Sequence, residues 1–267
     1  MYYKPEIKTA ETDGISMDYF VFGEGRKIFV MLPGLSLKKI TDSAASVASA
    51  YRNFGEDYTV YVFDRKNNVE AGYSIEDMAA DTAKIMAHLG IRDTYLFGVS
   101  QGGMIAQILA SEHPELVKKL ILGSTSAKEN TDAAKVFVRW IICALKGETR
   151  SLVESFLDNI YSDKFLKKYR DALVNMFSVA TSDELIRFSL LAAACRGFDA
   201  TEKLKKISCP ALVIGAGKDK IFGVEHTEFL SEALGAEMYI YKNYGHAVYD
   251  EAPDYKDKIR EFFDKDE

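Results

Sequence analysis

The chain has 267 residues, a formal net charge of −6 and 48% hydrophobic residues, so it can bury a sizeable core as one α/β domain. Its acidic balance, with no dominant Lys/Arg cluster, argues against nucleic acid or an anionic membrane as a partner. No apolar run approaches the roughly 20 residues that span a bilayer.

The opening segment MYYKPEIKTAETDG lacks the apolar stretch of a signal peptide, so no cleaved leader is expected. Three widely spaced cysteines, Cys143, Cys195 and Cys209, suit reduced thiols in a cytoplasmic protein better than a disulfide framework. Neither CxxC nor HExxH occurs, so no metal site is expected.

Residues Ile7–Thr12 and Ile15–Phe22 read as strands flanking Asp13-Gly14, a hairpin turn signal. Lys27–Leu32 is a short apolar run that ends at Pro33-Gly34, as a buried strand does. Ala44–Tyr51 is helix-compatible, and Tyr58–Phe63 is another buried strand, closed by Asp64-Arg65. Ser74-Ile75-Glu76-Asp77 has the form of a capping box with Asp as the acid, opening a helix that runs to about Leu89. Strand Thr94–Val99, helix Gln101–Glu112 and strand Val117–Leu122 follow.

The β-α-β-α-β alternation demands crossover connections and therefore a parallel sheet. From about Thr131 to Leu204 the strand rhythm gives way to helix-compatible sequence. It resumes with strand Ala211–Ile214, helix Val224–Leu234, strand Glu237–Tyr241 and helix Tyr255–Phe263. The expected fold is α/β: a mostly parallel, eight-stranded sheet with an antiparallel N-terminal hairpin, helices on both faces and an inserted helical lid. Residues 1–126 and 205–267 would form the core and 127–204 the lid.

Gly98-Val99-Ser100-Gln101-Gly102 matches G-x-S-x-G in the context that gives the pattern meaning, an apolar strand before it and a helix after it. A nucleophilic serine needs a tight strand-to-helix turn that projects its Oγ. Glycines two before and two after allow the crowded backbones to approach. The new helix also points its first N–H groups at developing negative charge.

The sequence resembles the α/β-hydrolase superfamily, in the branch of small lid-bearing esterases, enol-lactonases, carbon–carbon bond hydrolases and cofactor-free haloperoxidases. The likeness runs through LPG, YSIEDMAADTAKIMAHLGI, GVSQGGMIAQILASEHPELVKKLIL, CPALVIGAGKD and NYGHAVYDEAP. It implies the chain order Ser, acid, His. His246, in Asn243-Tyr244-Gly245-His246 beyond the last strand, then matches the base, and Asp219, in Gly215-Ala216-Gly217-Lys218-Asp219, matches the acid. By the same likeness the oxyanion hole uses the backbone N–H groups of Gln101 and Leu35.

The chain departs from the family by placing Pro33 where a His is usual, and Lys66-Asn67-Asn68-Val69-Glu70 where many relatives carry Gly-x-Gly. His226 is expected on the surface, and Asp250 and Glu251 are expected to cap the last helix. Lid residues Phe137, Trp140, Phe156, Met176 and Phe188 are candidates for an apolar acyl pocket, with Ser36 adding a hydroxyl. Lid core packing is the competing role for each of them.

The resemblance implies a carboxylesterase-like enzyme that acts on a small ester-like molecule without cofactor or metal. Other readings stay open: a lactonase or thioesterase, an acyltransferase, an aminopeptidase that would need lid carboxylates such as Glu154, Asp158 or Asp183, or a ligand receptor keeping the fold. A homodimer is compatible with all of them.

Overall fold

The computed structural model describes residues 4–265. Its sheet contains β1 (Glu6–Thr12), β2 (Ile15–Phe22), β3 (Lys27–Leu32), β4 (Tyr58–Lys66), β5 (Thr94–Val99), β6 (Val117–Gly123), β7 (Ala211–Ala216) and β8 (Glu237–Tyr241), in spatial order β1-β2-β4-β3-β5-β6-β7-β8. The β1–β2 and β2–β4 pairs are antiparallel and the others parallel. The eight-stranded, mostly parallel sheet with its N-terminal hairpin is the one the sequence leads one to expect.

Helices cover both faces. One face buries α2 (Ile75–His88) and α3 (Gln101–Glu112) in a core that includes Met78, Ile85, Ile105 and Leu109. The other buries α1 (Ala44–Ala50) and α10 (Tyr255–Asp264) through Ala44, Ala48, Ile259 and Phe263. Covered on both sides, β5 buries all six of its residues, which is why TYLFGV reads as a continuous apolar run. The capping box at Ser74 forms as expected, with Asp77 N–H donating to Ser74 Oγ and Asp77 Oδ2 accepting from Ser74 N–H.

Strand β4 runs three residues past Phe63, where the apolar pattern stops. Antiparallel pairing of Met17 with Lys66 carries it on, across a register shift between Met17 and Tyr19. Asp64 and Arg65 are therefore inside the sheet, and both are buried.

Between β6 and β7 the chain makes four helices: α4 (Thr131–Leu145), α5 (Thr149–Ile160), α6 (Asp163–Phe177) and α7 (Ser182–Ala194). Side-chain oxygens of Asn130, Ser162 and Thr181 cap three of them. The two necks of this insert pair with each other: Ala200 N–H donates to Ala127 O and Glu129 N–H to Phe198 O. Helix α8 (Val224–Leu234) and the short α9 (Val248–Glu251) complete the fold, and α9 has no counterpart in the sequence reading. Among the described residues no helix is long and apolar enough to cross a membrane.

Candidate active site

The carboxyl ends of β5, β7 and β8 converge on one place. Ser100 directly follows β5 with φ 54° and ψ −121°, a conformation that costs a non-glycine residue roughly 1–3 kcal/mol. Bonds to its own main chain hold it there: Ser100 N–H donates to Gly123 O, and Ser100 O accepts from the Thr125 hydroxyl and from Gly103 N–H and Met104 N–H.

The flanking glycines permit this crowding. A Cβ on Gly98 would lie 2.4 Å from Gly102 O, and one on Gly102 would lie 1.9 Å from Leu32 O. Gly102→Ala is therefore expected to force the backbone apart and lower stability by about 1–3 kcal/mol. Thermal unfolding checks this, and an unchanged midpoint would contradict the close approach.

His246, on the loop after β8, places Nε2 2.9 Å from Ser100 Oγ and Nδ1 2.8 Å from Asp219 Oδ2. Asp219 Oδ1 accepts from the N–H groups of Ile221 and Phe222. A carboxylate only accepts, so Nδ1 carries the imidazole proton, and Nε2 is left to accept from the Ser100 hydroxyl. The Phe222 ring lies 5.6 Å from the His246 ring, tilted at 54° to it, and the side chains of both His246 and Asp219 are buried. The three residues picked from the sequence thus form one hydrogen-bonded line.

The loop after β3 closes the other side of Ser100. A Cβ on Gly34 would be 3.2 Å from Ser100 Cβ and 3.7 Å from its Oγ, so the loop abuts the serine one residue before Leu35. Gln101, at the first position of α3, has an N–H that lacks an intrahelical acceptor, as first-turn groups do. Ser36 turns its hydroxyl back to Lys38 O and so satisfies its own loop.

Phe137, Trp140, Phe156 and Phe188 form one aromatic cluster, with the Trp140 and Phe156 rings 4.8 Å apart. Met176 does not join it. It lies in the last turn of α6 and is 62% exposed, because the buried stripe of that helix runs through Leu166 and Val174.

The insert packs against the histidine loop. A Cβ on Gly245 would lie 2.8 Å from Ser162 N, and Ala247 N–H donates to Ile160 O. Asp250 and Glu251 serve this contact and do not cap α10. Tyr161 Oη donates to Asp250, and Ser162 donates to Glu251 through both its N–H and its Oγ. Burial raises the Asp250 pKa despite the Tyr161 hydrogen bond.

His226 also corrects the sequence reading. It is buried, with Nε2 2.9 Å from Asn130 Nδ2 and Nδ1 2.6 Å from Ser126 Oγ. The Asn130 amide donates to Nε2, so the imidazole is neutral and its Nδ1–H donates to Ser126, which donates on to Lys128 O. Apolar spacing carries no mark of such a bond to the far neck of an insert.

Burial holds the His226 pKa below its ordinary value near 6.5, so the unfolded chain takes up this proton first as pH falls. Stability from this group is complete above about pH 6.5 and declines below it, until the folded protein is protonated too. The unfolding midpoint of the wild type should therefore drop more steeply from pH 7 to pH 5 than that of His226→Gln, and equal slopes would contradict this.

A family model described as the alpha/beta hydrolase fold matches residues 27–253. The 3-oxoadipate enol-lactonase 2 of Acinetobacter baylyi is 22% identical over 85% of this chain and 84% of its own length. Among solved structures, MGS-M2, an alpha/beta hydrolase enzyme from a Medee basin deep-sea metagenome library, superposes with a TM-score of 0.87. It is 22% identical and the match covers 97% of this chain and 98% of that one. The enol-lactonase of Burkholderia xenovorans LB400 gives 0.82 at 20% identity, covering 96% and 99%.

Proposed function

We propose that this chain, which belongs to the α/β-hydrolase fold family, is a serine hydrolase that cleaves a small, partly apolar carboxylic ester, or a lactone or thioester, through an acyl-enzyme. The observation that carries the reading is the continuous line from Ser100 Oγ through the His246 imidazole to Asp219. His246 Nε2 takes the hydroxyl proton as Oγ attacks the carbonyl carbon, and Asp219 stabilises the imidazolium that results. The N–H groups of Leu35 and Gln101 receive the oxyanion, His246 returns the proton to the leaving alcohol, and the same base then activates the water that frees the acid. Chemistry of this kind needs neither metal nor cofactor.

The helical insert acts as the lid. Phe137, Trp140, Phe156 and Phe188 pack into one apolar cluster within it, against which an acyl chain would lie. The aminopeptidase reading has less support, because the carboxylates it would draw on are spent elsewhere. Glu154 pairs with Arg150 and Asp158 with Arg170, while Asp183 is exposed.

A p-nitrophenyl ester series from acetate to octanoate, run beside aminoacyl anilides, tests the proposal. We expect ester turnover with an initial burst approaching one product per enzyme. Anilide cleavage without ester cleavage would overturn the ester assignment, and turnover of neither would overturn the hydrolase reading.

A further inference from the structure

Arg65 is a buried cation that the steps above leave unused. Only 4% of it is exposed, at the end of β4. Its Nη2 donates to Pro33 O at 2.6 Å and to Gln101 Oε1 at 3.2 Å. One nitrogen with two protons thus ties together the two segments that flank Ser100. Pro33 opens the loop that carries Leu35, and having no N–H and no side-chain donor it can be hydrogen-bonded there only through its carbonyl. Gln101 begins α3. Both bonds draw on a charged donor, which makes them stronger than neutral ones.

Two further observations favour a positioning role over simple packing. The Arg65 Nε is buried without a hydrogen-bond partner among the described residues. A buried guanidinium with an unsatisfied donor is costly, and an apolar side chain of similar volume would often be as stable or more so. Burial pushes the Arg65 pKa down to about 10, with Asp64 working against that shift, so the group remains charged at neutral pH.

The tie also reaches the helical insert. Gln101 Nε2 donates to Leu191 O and Cys195 Sγ at the end of α7, and Arg187 of α7 pairs with Asp64 at 2.7 Å. Asp64 in turn accepts from the N–H groups of Arg65 and Ile40.

We propose that Arg65 is a positioning residue that sets the spacing between the Pro33–Leu35 loop and the Gln101 turn, and so the width of the oxyanion hole, with α7 fastened to the same pin through Gln101. This rests on the serine hydrolase reading of Ser100. The N–H groups of Leu35 and Gln101 would remain in Arg65→Met but lose their fixed separation. The loss falls on the tetrahedral oxyanion and spares ground-state binding.

The test compares wild type, Arg65→Met and Arg65→Lys on p-nitrophenyl butyrate, with active sites counted by fluorophosphonate titration. In Arg65→Met, kcat per titrated site is expected to fall about 100-fold with KM changed less than about threefold. Inhibition by a trifluoromethyl ketone, which forms an oxyanion on the serine, should weaken by a similar factor, while inhibition by butyrate should not change. Arg65→Lys keeps the charge without the fork and should recover at least about tenfold of the lost rate.

A lowered unfolding midpoint with wild-type kcat per titrated site would reduce Arg65 to a structural residue and overturn the proposal. If Arg65→Met does not fold, Arg65→Lys decides alone: a kcat several-fold below wild type supports positioning, and an unchanged kcat overturns it. Wild-type protein that neither labels nor turns over would sink the serine hydrolase reading itself and this inference with it, an outcome distinct from a labelled, active wild type matched by Arg65→Met.

Discussion

Ser100→Ala is expected to lower kcat/KM for p-nitrophenyl esters by about 10⁶-fold while leaving the fold intact. The Oγ is the atom proposed to attack, and His246 Nε2 faces it at 2.9 Å with no second hydroxyl assigned to the role. The substitution spares everything that builds the turn. The bonds to Gly123, Gly103 and Met104 are main chain to main chain, and Thr125 donates to the Ser100 carbonyl. Alanine can therefore occupy the same strained conformation, and the unfolding midpoint should match wild type or exceed it. Circular dichroism melts beside steady-state rates separate loss of chemistry from loss of fold. Retained hydrolysis in Ser100→Ala would mean the nucleophile is elsewhere.

Asp219→Asn should cost about 10⁴-fold in kcat, far more than one hydrogen bond would suggest. The effect works through a proton on the far side of the ring. Ile221 and Phe222 N–H groups donate to Asp219 Oδ1. In the asparagine variant they would hold the amide oxygen in that place and turn the NH₂ toward His246 Nδ1. An NH₂ there needs an acceptor, so Nδ1 loses its proton and Nε2 gains one. Nε2 would then donate toward Ser100 and could no longer receive its proton. Rates measured across pH, with the unfolding midpoint as control, check this. A loss smaller than about tenfold would show that Asp219 does not set the tautomer.

The parts of this fold that were legible in the sequence are those with a local cause. Strand β5 and helix α3 match the reading residue for residue, because an apolar run ended by a glycine-flanked serine leaves few other ways to turn. The family resemblance pointed to Asp219 and His246, and the structure brings the two within hydrogen-bond distance of each other and His246 within hydrogen-bond distance of Ser100. The rest depended on partners distant in sequence. Nothing near Phe63 signals that pairing with Met17 would extend β4 and bury Arg65. His226 resembled a surface helix residue because its partners, Ser126 and Asn130, lie about 100 positions earlier. Asp250 and Glu251 have the chemistry of helix caps, but their donors come from the α5–α6 corner. Met176 fits a helical stripe by spacing, yet the tertiary neighbours of α6 choose a different face.

The departure at Pro33 illustrates the same limit. The sequence shows that this position cannot contribute a side-chain donor, but only the structure reveals that a guanidinium from β4 grips its carbonyl instead.

The most direct test of the central claim is mass spectrometry of the protein after treatment with a fluorophosphonate. The account requires one adduct per wild-type chain, mapped to the peptide containing Gly98–Gly102, and none on Ser100→Ala under the same conditions. An unlabelled wild type, or an adduct that survives Ser100→Ala, would contradict it.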